Sequence, residues 1–235
     1  MTLNLTAMVA ATTAALGFAA LSGGALAQTA AELVPADIRE RGYLSVGIEA
    51  TYPPMAFRNP ETNERAGVNV LLVDALGEAL DLEIRYEDMS FEQLMTSVTS
   101  GRIDMIGTAI SDLPSRRERL TFVDYLSTGA QPFALAATAS ELTSNEALCG
   151  HSVGALKGTT TATVAENLAE QCAERGLPSL HVNLYTSVPD ADLALQSGRD
   201  AAQIGSNEQA SFIIKMGEQP WKIIHTGTNG TPMGP

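Results

Sequence analysis

The sequence predicts an α/β protein with parallel strand pairing, and three observations carry that prediction. Short segments of period-two apolar alternation take turns with longer segments of helical period, an order that implies parallel strands joined by right-handed crossovers. A Ser-Gly-Arg triplet recurs at 100–102 and 197–199, each time closing a helical segment in front of the next strand, so the two halves share a helix–turn–strand unit. The stretch from Ser100 to Tyr125 reads as a helix end, a short apolar strand over Ile103–Gly107, a polar turn, and a short helix begun by Pro114 that carries Arg116, Arg117 and Arg119. Open α/β sheets bind small anions at such strand-to-helix turns, because free backbone N–H groups converge there. An arginine at the turn adds a planar, two-pronged grip on a carboxylate. A solvated basic helix is the competing reading of the same stretch.

Taken in order, Tyr43 to Ile48 alternates as a strand and runs into Glu49-Ala-Thr-Tyr52-Pro53-Pro54-Met55-Ala56-Phe57. The two prolines stop the strand and stiffen an extended loop, whose aromatic residues either line a pocket or cover the core. Asn59 to Arg65 is a polar, hairpin-like insertion, Gly67 to Leu80 a largely apolar helix, and Leu82, Ile84 and Tyr86 the next strand. Phe91, Leu94, Met95 and Val98 fall at i, i+3, i+4 and i+7, an amphipathic helix that Gly101 stops. Gln131 to Ala137 reads as a strand crossing into a second unit, followed by a polar, exposed stretch from Thr138 to Asn145. Ser152 to Leu156 is a strand leading through Lys157-Gly158-Thr159-Thr160-Thr161 into a helix that ends at Glu174. A glycine and threonines at a helix start either cap the helix or offer N–H groups and hydroxyls to an anion. Leu180, Val182 and Leu184 mark a strand, Asp190 to Ser197 a helix, and Gly198 to Ala202 the approach to another strand. A helix around Ala210, Ile213 and Ile214 and a last strand over Lys222–His225 complete the order.

Gly101-Arg-Ile-Asp104, Ser111, Arg116 and Phe122-Val-Asp-Tyr125 resemble the signature of the periplasmic solute-binding proteins of polar amino-acid ABC transporters, family 3. The resemblance implies a two-lobed periplasmic binding protein fold of type II, with lobe one over 28–132, lobe two over 133–228, and the ligand cleft between them. It implies that Arg116, six residues before Phe122, holds the ligand's α-carboxylate and that Ser111 helps it. Tyr52, in the tyrosine-proline-proline loop, then packs on the ligand, and Glu49 falls where some members carry an acid facing a basic ligand side chain. The family's Val-Gly-x-x-x-Gly-Thr, here Val153 to Thr159, makes Thr159 and Thr160 ligand contacts. Two departures stand out. The family usually has an acid where Leu71 stands. Its ammonium-binding Asp belongs near position 205, where this chain reads Gly205-Ser206-Asn207, so either Asn207 and Glu49 substitute or the ligand lacks an amino group. In the resembled fold the chain also returns from lobe two to lobe one. Residues 229–235 are expected to hold only the start of that return, as a fragment or a shortened gene would.

Residues 1–27 carry no charged side chain, hold an apolar run from Ala7 to Ala20, and end in Ala25-Leu26-Ala27, the small-x-small pattern of signal-peptidase cleavage. A membrane anchor is the competing reading, interrupted by Thr12-Thr13 and Gly23-Gly24. The missing Lys or Arg near Met1 leaves room for a start further upstream. The expectation is a cleaved signal, a mature chain from Gln28, and a periplasmic location, with no cysteine at the cleavage point to take a lipid. The net charge of −13 belongs to the remainder and argues against nucleic acid and anionic membrane as partners. Cys149 and Cys172 are the two cysteines of the chain. They are either buried thiols, since Cys172 shares an apolar helix face with Ala165, Leu168 and Ala169, or a disulfide, which export and the even pair favour.

Gly150-His151-Ser152-Val153-Gly154 matches the G-x-S-x-G nucleophile elbow, but a loop precedes Ser152 and a strand follows it, the reverse of what an elbow needs. The three histidines lack metal-ligand spacing, the cysteines form no C-x-x-C, and no P-loop glycine pattern occurs, so no metal and no cofactor is expected. Two functions from different classes remain. One is a binding protein that captures a small carboxylate-bearing solute, a polar amino acid or derivative, and delivers it to an ABC transporter permease at the membrane. The other is an enzyme similar to the cyclohexadienyl dehydratases on the same scaffold, for which Glu49 is the candidate acid or base.

Overall fold

The computed structural model describes residues 29–216 and 220–224. The expected signal segment, its cleavage point beside Gln28, His225 and the start of a return segment at 229–235 lie outside the described residues.

A short 3-10 turn at Ala30–Leu33 and helix α1 (Ala36–Arg41) lead into β1 (Tyr43–Ile48). Three short strands follow, β2 (Thr51–Tyr52), β3 (Ala56–Arg58) and β4 (Arg65–Ala66), and pair antiparallel as the predicted hairpin around 59–65. Helix α2 (Val68–Leu80), β5 (Glu83–Asp88), α3 (Phe91–Thr99), β6 (Met105–Ile106) and the single turn α4 (Pro114–Arg117) complete the first lobe. Its sheet has the order β5-β1-β6, parallel throughout, with Tyr43 opposite Glu83 and Val46 opposite Met105. The central strand β1 is buried from Leu44 to Ile48, on both faces, as parallel strands covered by crossover helices are.

The second lobe runs β7 (Ala130–Leu135), α5 (Ala136–Ala139), α6 (Asn145–Leu148), β8 (Ser152–Leu156), α7 (Thr160–Glu174) and β9 (His181–Tyr185). It ends with α8 (Val188–Gln196), β10 (Ala202–Ser206), α9 (Asn207–Met216) and β11 (Trp221–Ile223). The sheet order is β11-β7-β10-β8-β9, with β9, β8 and β10 parallel and β7 antiparallel to both of its neighbours. Its larger core packs Ala162, Ala165, Leu168 and Cys172 of α7 on Val153, Ala155, Ala202 and Ile204. A smaller one on the opposite face joins Phe133, Leu195, Ala210 and Trp221. Cys149 and Cys172 are bonded as a disulfide with Cα atoms 5.8 Å apart, so the cysteine that shares the apolar face of α7 is also covalently held.

The repeated Ser-Gly-Arg is the same structural device in both lobes. Gly101 and Gly198 take left-handed φ values of 73° and 71°, which a glycine adopts without the Cβ penalty. The next N–H then bonds back to the carbonyl of Ser97 or Ala194, 2.9 Å in each case, closing α3 and α8. Several boundaries differ from the sequence reading. The strand expected over Gln131–Ala137 gives way to helix at Ala136, and the stretch expected exposed over Thr138–Asn145 buries Ala139 and Leu142 in the larger core. The strand expected over Ile103–Gly107 has only two ladder residues, because Asp104 turns its carboxylate to the Ser45 N–H at 2.7 Å and to Arg41. Helix α8 starts at Val188 rather than Asp190, because Ser187 caps it by accepting from the Asp190 N–H and Pro189 is tolerated in a first turn.

Candidate functional site

A cavity of about 710 Å³ opens where the C-terminal ends of the two sheets meet, lined from one side by Glu49, Tyr52, Ser111 and Arg116 and from the other by Thr159, Thr160, Ser206 and Glu208. The loop that carries Tyr52 is fixed by backbone bonds from Val68 N–H to the Pro54 carbonyl (3.1 Å) and from Asn69 N–H to the Met55 carbonyl (2.8 Å), which tie it to the start of α2. Pro114 at the first position of α4 sets the turn that places Arg116 two residues later.

Arg116 is 8% exposed, yet no acid among the described residues shapes its charge. Its Nη1 donates to the Ser111 carbonyl at 2.8 Å and its Nη2 to the Gly158 carbonyl at 3.0 Å, the second bond reaching across the cleft. The Phe91 ring lies 5.9 Å from the guanidinium carbon. Burial lowers its pKa from the ordinary arginine value, and an arginine stays charged regardless. Two of five N–H donors are therefore spent on carbonyls, and a full positive charge is left for an anion. The neighbouring Arg117 is differently disposed: it is forked onto Asp112 at 2.6 and 2.7 Å, which holds the Asp112 carboxyl below its ordinary range.

Thr159 caps α7, accepting from the Ala162 N–H at 3.3 Å, and its hydroxyl donates to the Leu156 carbonyl at 2.6 Å. Thr160 meets Ser111 hydroxyl to hydroxyl at 3.2 Å across the cleft. The N-terminus of this 15-residue helix thus opens on the same cavity as Arg116, and unpaired first-turn N–H groups favour an anion there.

The remaining wall is acidic. Glu49 is 4% exposed; its Oε1 accepts from the Thr51 hydroxyl, while its Oε2 has no partner among the described residues. Burial pushes its carboxyl above the usual carboxylate range, partly offset by the Thr51 hydroxyl. The Tyr52 hydroxyl crosses the cleft to Ser206 and donates to Glu208 Oε1 at 2.7 Å, and Thr128 donates to Glu208 Oε2. Burial and the Glu208 charge push the Tyr52 hydroxyl well above its ordinary value, so it remains a donor. Lys157 and Glu92 add an exposed cross-cleft pair at 3.1 Å.

The structure thus brings Arg116, Ser111, Tyr52, Glu49, Thr159 and Thr160 to one cavity. Asn207 is exposed and lies outside the cavity lining, with its N–H on the Gly129 carbonyl at 2.9 Å. Leu71 is 71% exposed on α2, away from the cavity. Among the cavity-lining residues that sequence reasoning missed is Glu208. The one local signal for it is an acid in the first turn of a helix, which its favourable interaction with the helix dipole already explains. Among the described residues, no group of three His, Cys, Asp or Glu side chains is placed to hold a metal ion.

Residues 44–215 match the family described as bacterial extracellular solute-binding proteins, family 3. The chain is similar to the arginine-binding protein ArgT of Corynebacterium glutamicum, 26% identical over 204 residues, a match covering 86% of this chain and 66% of that protein. It is also similar to the L-cystine-binding protein TcyJ of Escherichia coli, 24% identical, over 76% of this chain and 64% of the relative. The match thus spans about two thirds of these curated relatives' length. Among solved structures, an ancestral arginine-binding protein bound to glutamine superposes with a TM-score of 0.72 at 26% identity, covering 83% of each chain.

Proposed function

The chain belongs to the bacterial extracellular solute-binding proteins, family 3, and on that premise we propose that it captures an amino acid by its α-carboxylate and hands it to an ABC transporter permease at the membrane. The observation that carries this reading is Arg116: a buried guanidinium at the cleft, held by two carbonyls and paired with no acid among the described residues. A buried, uncompensated charge is costly, and an incoming carboxylate relieves that cost. In this reading Ser111, Thr159 and Thr160 complete the anion site and Tyr52 covers the ligand. Glu49, whose Oε2 has no partner among the described residues, and Glu208 receive the ammonium group, the part that one of the two sequence readings gave to Asn207 with Glu49. The division into two lobes, expected at 28–132 and 133–228 and drawn just before Ala130 here so that β7 stays whole, export by a cleaved signal, and residence in the periplasm belong to the same proposal.

The test is a thermal-shift and calorimetric screen of the proteinogenic amino acids, simple carboxylates and opines, because a ligand that binds only the folded state raises its stability. A micromolar amino-acid ligand is expected, lost when its carboxylate is converted to an amide. Binding that survives amidation overturns the reading. The buried acid Glu49 is the group that favours the dehydratase alternative; recovery of prephenate and arogenate unchanged after incubation counts against it, and their turnover establishes it.

A further inference from the structure

The wall of the cleft formed by the second lobe holds two buried polar atoms that the anion and ammonium sites do not use. Gln203 on β10 and Gln209 on α9 are each 3% exposed, and both line the cavity. Gln203 Oε1 and Gln209 Nε2 have no hydrogen-bond partner among the described residues, and neither has Oδ1 of Asp192 on α8, which lies outside the cavity lining. Strand alternation explains the placement: Ala202 and Ile204 enter the larger core, so Gln203 and Gly205 face α8 and α9. A Cβ on Gly205 would stand 2.5 Å from Gln209 Oε1, so the glycine makes the room in which the Gln209 amide lies. Burial pushes the Asp192 carboxyl up to about 6, and the adjacent Gln203 amide offsets part of that.

Buried amides are rarely left unpaired, because each unpaired donor or acceptor carries its full desolvation cost. Here one unpaired acceptor and one unpaired donor line the same ligand cleft. Resting on the amino-acid-binding reading above, we propose that Gln203 and Gln209 form a specificity subsite for a ligand side chain ending in a carboxamide or ureido group. Such a group brings an N–H donor for Gln203 Oε1 and a carbonyl for Gln209 Nε2. A guanidinium brings donors alone and leaves the Gln209 amide facing other N–H groups. Sites built to hydrogen-bond a group discriminate strongly against analogues that cannot pair with them.

The experiment is calorimetry with L-glutamine, L-citrulline and L-arginine on the wild-type chain and on Gln209→Leu and Gln209→Met, with folding followed by circular dichroism. The wild type is expected to bind glutamine or citrulline about tenfold more tightly than arginine, and the variants to reduce that ratio by about tenfold. Arginine bound at least as tightly as both amide ligands by the wild type overturns the proposal. So does a ratio that moves less than threefold in whichever variant melts cooperatively; the two polar atoms then hold ordered water only. If Arg116→Ala removes binding while the ratio in the Gln209 variants stays put, the subsite falls and the amino-acid reading stands. If the wild type binds no amino acid, both fall.

Discussion

Replacing Arg116 by alanine separates a binding role from a structural one, because the two roles predict different balances of affinity and stability. The guanidinium makes two neutral-acceptor hydrogen bonds, to the Ser111 and Gly158 carbonyls, and is desolvated with no acid paired to it among the described residues. Removing it sacrifices two bonds of about 1 kcal/mol net each and relieves a burial cost of similar size, so the melting temperature should move little. With a carboxylate bound, the remaining N–H groups form a charge-assisted fork in a closed cleft, and losing it costs about 2–4 kcal/mol, or roughly 30- to 1000-fold in affinity. Arg116→Lys keeps the charge without the fork and should fall between the two. Titration calorimetry with an identified ligand measures the loss, and thermal melting of the same samples checks the fold. A loss under threefold in a folded variant, or a fall in affinity that tracks a fall in melting temperature, refutes the reasoning.

Three further outcomes are expected. Reduction of the Cys149–Cys172 bond, which closes a 23-residue separation, should destabilise the fold by about 3 kcal/mol in the chain-entropy account; unchanged calorimetric melting with and without reductant would contradict it. Asp192 has its pKa raised from 3.8 to about 6 by burial, so the folded state holds its proton more tightly, and stability is lost as pH rises through that window. Asp192→Asn should therefore be more stable than the wild type at pH 7.5 and equal to it at pH 3, and denaturant melts giving equal stability at both values would count against this. Tyr52→Phe removes the hydroxyl that spans the cleft to Ser206 and Glu208. Its unliganded form should scatter X-rays with a larger radius of gyration and bind about tenfold more weakly; superimposable scattering curves would show that the contact does not hold the lobes together.

Much of the fold was legible because its determinants are local. The period of β1 and α3, the glycine stops after α3 and α8, and the threonine cap of α7 all act within a few residues of themselves. Arg116 and Ser111 were legible through the family signature that spaces them from Phe122, since the local pattern alone also fitted a solvated basic helix; the structure joins them within one proline-initiated turn. What escaped depends on contacts across the cleft or on which face a residue presents. Tyr52 and Glu208 are 156 positions apart, and no periodicity links them. The choice between Asn207 and Glu208 turns on the rotation of the first turn of α9, where adjacent residues point about 100° apart. Gln203 sits between two apolar neighbours, Ala202 and Ile204, so alternation alone assigns it to solvent; the helices covering that face are what bury it.

The disulfide has a mechanical consequence. Cys149 lies just before β8 and Cys172 near the last turn of α7, so the covalent bond clamps strand and helix together at the end remote from the cavity. The other end is the loop from Lys157 to Thr159, where β8 turns into α7, the threonines line the cavity and the Gly158 carbonyl accepts from Arg116. Strand and helix thus behave as the two arms of a peg whose pivot is a sulfur–sulfur bond. About 20 Å of α7 separates that pivot from the jaw, taking 1.5 Å per residue. A small tilt at the base is magnified along that length. A rigid base therefore keeps the Gly158 carbonyl within reach of Arg116 and lets only the jaw adjust to what enters.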